Sequence, residues 1–229
     1  MVKIYEGKTK DVYKNKEGNY VLKFKDDVTG TDGVFDPGAN TVGLKIHGAG
    51  RAGLKLTKFF FEKINQSGIL THYIDANIEE ATMTVKPATL FGKGVEVILR
   101  YRGVGSFYRR YASVCKEGQA FPDGYVEVTL KDDDRNDPLI TKEGLVVLEI
   151  MSEEEFDHLV QMTKAIGEIV KGALKDKGLT LYDIKFEFGR IGTDQQIALI
   201  DEISGGNMRA YKGDQYIEPL QLEKILLEK

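Results

Sequence analysis

Residues 181–209 of this 229-residue chain read LYDIKFEFGRIGTDQQIALIDEISGGNMR, and this stretch decides the fold around it. Its first half alternates strictly between apolar and polar positions, which predicts a β-strand with one buried face. The apolar face holds Tyr182, Ile184, Phe186 and Phe188, and the polar face holds Asp183, Lys185 and Glu187. The glycine-punctuated segment 189–196 predicts a hairpin connection, and the second strand, IALI at 197–200, leads directly into Asp201 and Glu202. Antiparallel pairing should therefore gather several carboxylates around one lysine.

Such a cluster at the end of an apolar hairpin suits a magnesium–triphosphate ligand. Mg²⁺ takes hard oxygen ligands, and a lysine ammonium can hold a phosphate oxygen as a point charge. The alternative is a solvated hairpin face with cross-strand ion pairs, each of which contributes little to stability. The pattern alone leaves both interpretations open.

The composition is typical of a globular protein and argues against a nucleic-acid-binding protein and a disulfide-rich protein. Hydrophobic residues make up 41% of the chain, charged residues 30%, and the net charge is −4. Because no long basic run is present, nucleic acid is not expected as a partner. The single cysteine, Cys115, excludes an intrachain disulfide framework and a CxxC metal site. No signal peptide opens the chain and no apolar run approaches the ~18 residues of a membrane span, so we expect a cytoplasmic protein with no membrane partner.

The N-terminal segment 1–27 predicts a β-hairpin with a turn at NKEGN. Gly7 lies just before Lys8, and Lys10 follows two residues later on the same strand face. A glycine permits close backbone approach to a phosphate, so both lysines are candidates for phosphate binding, with exposed strand lysines as the alternative. Lys86 ends a later predicted strand and is a similar candidate, with a solvated lysine as its alternative.

Segment 26–53 is polar, rich in glycine and without clear periodicity, which indicates a functional loop or lid. Its candidates for contact with a polar ligand are Asp27, Thr29 and Asp32. Ordinary turn-forming residues are the alternative. A helix is predicted over 54–66, followed by two strands that should extend the N-terminal sheet.

Segment 95–110, VEVILRYRGVGSFYRR, predicts an apolar strand followed by a tight Gly-Ser turn. Backbone amides, the Ser106 hydroxyl and flanking guanidiniums form a suitable cradle for a phosphomonoester. The arginines of this segment are Arg100, Arg102, Arg109 and Arg110. A basic surface turn is the alternative.

Segment 131–138, KDDDRNDP, follows the strand VEVTL and would repel itself unless a cation neutralised it. Its members of interest are Lys131, Asp133 and Asp137, and a plain acidic loop is the alternative. Farther along, Ser152 and Glu155 form a capping box that begins a helix packed against the 181–200 hairpin.

Five of these segments, in this order, resemble the SAICAR synthetase (phosphoribosylaminoimidazole-succinocarboxamide synthase) family. YEGKTKDVY resembles the family's YEGKAKxxY, VEVILRYRGVGSFYRR its VEVVVRNxAAGSxxKR, and KDDDRNDP its KxDxxxDP. DIKFEFGR and IALIDEIS are similar to its DFKLEFGR and ADEIS. The resemblance implies an α+β fold of two lobes with ATP in the cleft. We therefore expect a β-rich N-terminal lobe at 1–95 and a mixed lobe at 96–229.

The resemblance also implies an ATP-dependent ligase that joins carboxyaminoimidazole ribonucleotide to L-aspartate, with Mg²⁺ as cofactor and a homodimer as the assembly. ATP would activate the ribonucleotide carboxylate as an acyl phosphate. The residues expected to act on the reacting groups are Lys185, Lys131 and Asp201. The residues expected to bind ATP are Lys8, Lys10, Lys86, Glu187 and Asp201, of which Glu187 and Asp201 would ligate the metal. The residues expected to bind the other substrates are Arg100, Ser106, Arg110, Asp133, Asp183, Ser204 and Arg209.

This chain departs from the family pattern at several positions. Ser204-Gly205-Gly206 stands where the family has SPD, Tyr101 replaces an asparagine, and the family's basic segment after the last motif has no counterpart. The ATP half of the resemblance is thus more complete than the substrate half. Two alternatives follow, a related ligase or phosphotransferase with another carboxylate or amine, and a non-catalytic nucleotide-binding module.

Overall fold

The computed structural model describes residues 1–31, 34–37 and 41–228. The strands are β1 (Val2–Glu6), β2 (Lys10–Lys14), β3 (Tyr20–Phe24), β4 (Asp27–Thr31), β5 (Val34–Phe35), β6 (Val42–Lys45), β7 (Tyr73–Asn77), β8 (Thr82–Val85), β9 (Ala88–Leu90), β10 (Val95–Arg102), β11 (Ala120–Leu130), β12 (Thr180–Ile191), β13 (Gln196–Ile200), β14 (Met208–Lys212) and β15 (Gln215–Tyr216). The helices are α1 (Ala49–Gln66), α2 (Gly105–Tyr111), α3 (Lys142–Val147), α4 (Glu153–Lys175) and α5 (Pro219–Leu227). The mixture of antiparallel sheets and helices confirms the α+β class.

The N-terminal sheet has the strand order β1-β2-β3-β8-β7. The predicted first strand of the hairpin is in fact two strands, because the chain turns at Gly7 between β1 and β2. The N–H of Gly7 donates to the carbonyl oxygen of Lys10 at 2.9 Å, and a Cβ at position 7 would lie only 2.5 Å from that oxygen. A glycine is therefore required for this turn. The prediction that two strands after the first helix extend this sheet is confirmed by β7 and β8.

Part of segment 26–53 is more regular than its sequence suggested. Strands β4, β5 and β6 form a small antiparallel sheet, which corrects the prediction of an irregular loop. These strands are short, and β4 and β6 contain glycine, so they lack a readable alternation. Helix α1 begins at Ala49 rather than at the predicted Leu54, after Gly48 in a left-handed conformation with φ 87°. Asp32, a candidate for ligand contact, lies outside the described residues.

The C-terminal sheet is built around β12. Its strand order is β11-β10-β12-β14-β15, and β12 also pairs with β13 and β9. Glu187 pairs with Ile200, so the predicted hairpin and the placement of Asp201 beside the polar face are confirmed. A register shift between Leu181 and Asp183 corrects the predicted membership of the apolar face of β12. Leu181, not Tyr182, joins the core with Ile184, and Tyr182 instead stacks on Tyr211 with ring centroids 3.8 Å apart.

Helix α4 begins with the predicted capping box, since Ser152 accepts from the N–H of Glu155 and Glu155 accepts from that of Ser152. It packs across β10 and β12. Gly167 lies against Leu99, where an added Cβ would approach Leu99 Cδ2 to 2.1 Å. The C-terminal tail forms β14, β15 and the two-turn helix α5, which packs on α1.

One hydrophobic core runs through both halves of the chain, from Leu22 and Phe61 to Phe186 and Leu226. Strand β9 pairs with β12, so residues 88–90 are hydrogen-bonded to the C-terminal sheet although they fall on the N-terminal side of the expected boundary. The division into lobes at 1–95 and 96–229 stays a prediction. Within the described ranges, no helix is both long and apolar enough to cross a membrane.

Candidate active site

The polar face of the C-terminal sheet carries a row of charged side chains. On β12 they are Asp183, Lys185 and Glu187, and the antiparallel neighbour β10 places Arg100 opposite Asp183 and Glu96 opposite Glu187. The two ends of the row, Asp183 and Glu187, are four residue steps apart along β12, which corresponds to roughly 13 Å at about 3.3 Å per residue. Lys185 lies halfway between them.

A first cavity of about 330 Å³ opens at the Glu187 end of this row. One wall is apolar and comes from the N-terminal sheet and β4, with Val12, Leu22, Phe24 and Val28. The rest of the lining is mostly charged or polar and includes Lys8, Lys10, Lys131, Asp133, Lys185, Glu187, Asp201, Glu202 and Ser204. The cavity therefore combines a surface for a flat apolar group with a dense set of cations and carboxylates.

Lys10 joins the two halves of the chain at this cavity. Its side chain is nearly buried, and its Nζ lies 3.0 Å from Asp201 Oδ1 and also contacts Glu202. Burial alone would lower the pKa of Lys10, but the Asp201 and Glu202 carboxylates raise it above its usual value. Lys10 therefore stays positively charged inside the cavity.

Glu187 and Asp201 form the carboxylate pair predicted from the hairpin. Lys131 Nζ lies 2.7 Å from Glu187 Oε1. Burial, together with the nearby Asp201 charge, raises the pKa of Glu187. Burial acts in the same direction on Asp201, but Lys10 and Lys131 override it and lower the pKa of Asp201 to about 2.

The backbone of Asp201 is left-handed, with φ 65°. For a non-glycine residue this conformation costs about 1–2 kcal/mol, and such strain concentrates at functional sites. His72 is packed behind this residue; burial lowers its pKa to about 4, so the imidazole is neutral at pH 7.

The carboxylates are suited to a metal that is shared with a ligand. Among the described residues, no three His, Cys, Asp or Glu side chains converge on a single metal position. Glu187 and Asp201, which both line the first cavity, offer two hard oxygen donors, the number that Mg²⁺ commonly takes from a protein when phosphate oxygens and water complete its shell. The donor set fits a magnesium–nucleotide better than a free structural ion.

A second cavity of about 720 Å³ opens at the Asp183 end of the row. At the floor of this cavity, all three guanidinium nitrogens of the buried Arg100 donate hydrogen bonds. Nε donates to Glu127 at 2.8 Å, Nη1 to Asp183 at 2.9 Å and Nη2 to the Ser106 hydroxyl at 2.9 Å. Arg110 Nη2 also donates to Glu127, at 2.6 Å. This network holds the floor rigidly.

Arg209 lies on the other side of Asp183, to which its Nη1 donates at 2.7 Å, while its Nη2 donates to Asp36 at 2.6 Å. Arg109 approaches the same Asp36 at 3.7 Å. Guanidiniums from three elements thus converge on one cavity, and helix α2 presents the Ser106 hydroxyl between them. This is the arrangement that an anionic group such as a phosphomonoester requires.

The two cavities meet at a shared wall. Its residues, which line both cavities, are Pro37, Glu96, Asp137, Lys185 and Asn207. Lys185 Nζ lies 2.5 Å from Glu96 Oε1. Burial opposes the charge on Lys185, but Glu96 and Glu187 raise its pKa, so the ammonium is kept at the junction of the cavities.

The structure gathers most, but not all, of the predicted site residues. Within the described part of the chain, Lys86 lies outside both cavities and its side chain is exposed, so its expected contact with ATP finds no support. Asp133 and Ser204 were expected beside the other substrates but line the first cavity. Asp133 there pairs with Lys8 at 2.6 Å.

Several charged residues of the site were not predicted as site residues. They are Asp36, Glu96 and Glu127. Glu96 had a readable signal, because it shares a strand face with Ile98 and Arg100 in an otherwise apolar strand. Glu202 and Asp137 also line the first cavity; Glu202 was expected in the carboxylate cluster after the second hairpin strand, and Asp137 was a candidate in the acidic segment 131–138. Asp36 and Glu127 gave no local signal, since their partners are far away in the chain.

Comparison with known proteins gives a consistent result. A model of the SAICAR synthetase family matches residues 3–226. The chain is 64% identical to phosphoribosylaminoimidazole-succinocarboxamide synthase from Clostridium tetani, over 98% of this chain and 99% of the relative. It is 36% identical to the enzyme of the same name from Finegoldia magna, over 93% of this chain and 87% of the relative. A solved structure of a SAICAR synthetase in complex with ADP superimposes with a TM-score of 0.86 at 25% identity, covering 98% of this chain and 97% of the other.

Proposed function

The chain belongs to the SAICAR synthetase family, and from this premise we propose how its two cavities divide the substrates of the reaction. It is an ATP-dependent ligase of purine biosynthesis, which joins carboxyaminoimidazole ribonucleotide to L-aspartate and releases ADP and phosphate. The alternatives of a different ligase and of a non-catalytic binding module are thereby set aside.

We propose that the first cavity binds ATP. The nucleobase lies against the apolar wall formed by Val12, Leu22 and Phe24, and the triphosphate extends towards Lys8 and Lys10. The cationic side chains support this orientation, because the ammonium of Lys10 is buried and held charged by the carboxylates that pair with it. ADP in the related SAICAR synthetase structure supports nucleotide binding by the fold.

We propose that Glu187 and Asp201 hold the magnesium of the nucleotide. When bound, Mg²⁺ would neutralise phosphate charge and orient the phosphate oxygens. The residues of the chain do the remaining work. Lys131 balances the charge of Glu187, and the left-handed backbone of Asp201 directs its carboxylate into the same cavity.

We propose that the second cavity binds the ribonucleotide through its phosphate. Arg100, Ser106, Arg110 and Arg209 are the residues assigned to this phosphate, and Asp183 fixes two of the guanidiniums. With the phosphate held at this end, the imidazole carboxylate of the ribonucleotide would extend towards the shared wall, where the second cavity meets the first.

The observation that supports this division best is the position of Lys185 on the wall of both cavities, midway along the charged row. Its ammonium can contact the γ-phosphoryl group of ATP and the ribonucleotide carboxylate together. Positioning and charge neutralisation are the main catalytic contributions in phosphoryl transfer, because the anionic reactants repel each other. We propose that phosphoryl transfer at Lys185 yields an acyl phosphate, which the amine of aspartate then attacks.

The experiment that tests this proposal measures ADP release with ATP, Mg²⁺ and carboxyaminoimidazole ribonucleotide, with and without L-aspartate. We expect aspartate-dependent ADP release, with the succinocarboxamide product identified by mass. Transfer of ¹⁸O from the ribonucleotide carboxylate to inorganic phosphate would support the acyl phosphate. Product without ¹⁸O transfer would contradict that intermediate, and nucleotide binding without product would contradict the assignment of the second cavity.

The assembly and cellular location stay proposals that rest on the family resemblance. We propose a homodimer in the cytoplasm. Sedimentation equilibrium of the purified chain should give twice the monomer mass, and a concentration-independent monomer would contradict the dimer.

A further inference from the structure

Amide formation requires a base, which the division of substrates described above does not supply. The α-amino group of L-aspartate is protonated at neutral pH, and only the free amine can attack an acyl phosphate. A base at the shared wall would lie where the amine must approach. The ionisable residues that line both cavities are Glu96, Asp137 and Lys185.

Two of these three groups, Lys185 and Glu96, form an ion pair with each other. Lys185 Nζ pairs with Glu96 Oε1 at 2.5 Å, and Glu96 Oε2 lies 3.4 Å from the Thr129 hydroxyl. A carboxylate held by an ammonium is a weakened base, and the ammonium itself is no base. Asp137 is the remaining candidate.

Asp137 differs from the other carboxylates of the second cavity. Asp36, Glu96, Glu127 and Asp183 each form an ion pair with a lysine or arginine. Asp137 forms none with any residue that the structure describes. Its Oδ1 accepts the backbone N–H of Asp132 at 2.8 Å, and this is the hydrogen bond of its side chain in the described structure. The second carboxylate oxygen is thus available to a ligand.

The backbone around Asp137 is strained, and it is also well anchored. Asn136 and Asp137 have φ of 55° and 46°, both left-handed. The turn is closed by the N–H of Asp137, which donates to the carbonyl oxygen of Asp132 at 3.0 Å. Directly after it, the carbonyl of Pro138 accepts from the N–H of Leu130 at 3.0 Å. Two consecutive strained residues persist only where the surroundings impose them, and strain of this kind is typical of functional sites.

We propose that Asp137 is the general base that accepts a proton from the α-ammonium group of the amine substrate. This inference rests on the acyl phosphate of the proposed function. The ammonium gives one proton to Asp137, and its nitrogen attacks the acyl carbon, so that a C–N bond forms. The C–O bond to the phosphoryl group then breaks, and the second surplus proton of the nitrogen leaves with the phosphate.

The electrostatic surroundings suit this role. Burial raises the pKa of Asp137, and the charges of Glu96 on β10 and Asp133 in the same turn act in the same direction. The hydrogen bond from Asp132 and the charge of Lys185 on β12 oppose them without cancelling the rise. A carboxylate with a raised pKa is a stronger base than an ordinary aspartate.

The variant Asp137→Asn separates catalysis from structure. Asparagine keeps the oxygen that accepts from Asp132 and tolerates a left-handed backbone, but it cannot take a proton. We expect aspartate-dependent product formation to fall about 10²-fold or more, the usual range for loss of a general base. Hydroxylamine is a nucleophile that is uncharged at neutral pH, so it needs no base to become reactive. When hydroxylamine replaces aspartate, we expect the variant still to transfer ¹⁸O from the labelled ribonucleotide carboxylate to phosphate.

Hydroxylamine trapping thus reports formation of the acyl phosphate independently of the base. Equal hydroxamate yields for Asp137→Asn and wild type, with loss of the aspartate product only in the variant, would support the proposal. An equal loss of the aspartate product and of the hydroxamate would overturn the proposal, because Asp137 would then act in formation of the acyl phosphate or in folding. Aspartate turnover within about threefold of wild type would also overturn it. Failure of wild type to give hydroxamate would instead refute the acyl phosphate of the proposed function.

The matched control is Asp134→Asn, which removes an exposed carboxylate from the same turn. It should leave both reactions unchanged. The pH profile of kcat/KM for aspartate gives a second readout. In wild type the rate should fall as Asp137 becomes protonated at acid pH, and that limb should be absent in Asp137→Asn.

Discussion

Lys185 Nζ and Glu96 Oε1 lie 2.5 Å apart on neighbouring strands, and both residues line the two cavities of the enzyme. The pair fixes an ammonium at the junction of the two cavities, for which we propose a nucleotide and a ribonucleotide as ligands. Glu96 is buried, whereas Lys185 is about one-third exposed and can be solvated by water. Breaking the pair should therefore cost more free energy at the Glu96 carboxylate than at the Lys185 ammonium.

Replacing Lys185 with alanine should abolish most of the turnover. The ammonium contacts both reacting anions in the proposed arrangement, so we expect kcat to fall about 10²-fold or more, as for loss of a preorganised charge. The variant should also lose roughly 1–3 kcal/mol of unfolding free energy, because Glu96 is left buried without its partner. Steady-state kinetics and urea unfolding check the two effects.

The double variant Lys185→Met with Glu96→Gln distinguishes these effects. It removes both charges, so stability should recover while activity stays low. Lys164→Ala, on the exposed face of α4, should change neither quantity. Activity that recovers together with stability would contradict a direct role for Lys185.

Replacing Arg100 with lysine should destabilise the floor of the second cavity. Arg100 donates through three nitrogens to Glu127, Asp183 and Ser106, and an ammonium cannot reproduce this planar set. We expect a loss of about 2–4 kcal/mol, since buried carboxylates would be left incompletely paired. Urea unfolding measures it, and KM for the ribonucleotide should rise in the same variant.

Arg109→Lys is the matched comparison for stability. Its side chain is 59% exposed and approaches Asp36 only to 3.7 Å, so the change should stay within about 0.5 kcal/mol. Similar losses for both arginine variants would show that burial of the Arg100 network does not matter to stability.

Gly205 should not accept a side chain, although its backbone is compatible with one. A Cβ at this position would lie 2.6 Å from Cα of Pro219, at the start of α5. We expect Gly205→Ala to displace α5 and to cost about 1–3 kcal/mol, the usual range for overpacking. Since Gly205 and Pro219 both line the first cavity, ATP affinity measured by calorimetry should fall as well.

Gly206→Ala provides the comparison for stability. Its Cβ would meet only the Ser204 hydroxyl oxygen, at 3.1 Å, and a serine rotation can relieve that contact. Its loss of unfolding free energy should therefore be smaller than that of Gly205→Ala. A loss as large as that of Gly205→Ala would contradict the steric explanation of the Ser204-Gly205-Gly206 sequence.

The start of α4 should show a pH-dependent contribution from Glu155. The side-chain hydrogen bonds from Arg190, at 2.6 and 2.8 Å, lower the pKa of Glu155. Because the pKa is lower in the folded state, the stabilisation is present above the unfolded value of about 4.3 and is lost as the pH falls through the folded value. Glu155→Gln keeps the capping box but should cost about 0.5–1 kcal/mol at pH 7.

Urea unfolding of Glu155→Gln and wild type at several pH values checks this prediction. The difference in unfolding free energy should shrink below about pH 4. Glu154→Gln, in the same helical turn and exposed, should show a smaller effect at pH 7. A difference for Glu155→Gln that is constant with pH would contradict the role of the charge.

The parts of the site that could be predicted from the sequence are those with local patterns. The alternation of β12 placed Lys185 and Glu187 on one face, and the hairpin brought Asp201 beside them. The capping box of α4 was equally readable. Each of these features depends on residues that lie close together in the chain, at most 16 positions apart.

The remaining features depend on contacts between distant segments or on backbone conformation. Glu127 reaches Arg100 because β10 and β11 pair across the α2 connection, and Asp36 reaches Arg209 from the other half of the chain. The register shift beside Tyr182 exchanges it with Leu181, which strict alternation cannot reveal. The left-handed backbones of Asp137 and Asp201 carry no sequence signal, since aspartate adopts ordinary conformations elsewhere.

The charged row along β12 also limits how this enzyme can change during evolution. Side chains return to the same face only every second residue, so positions along the row are available only in increments of about 6.6 Å. Inserting or deleting one residue in β12 would turn Lys185 into the core and an apolar neighbour into the cavities. The separation between the proposed phosphoryl donor and acceptor therefore cannot drift gradually. Acceptors of a different length can be accommodated by exchanging side chains or reshaping loops, while the strand keeps its length.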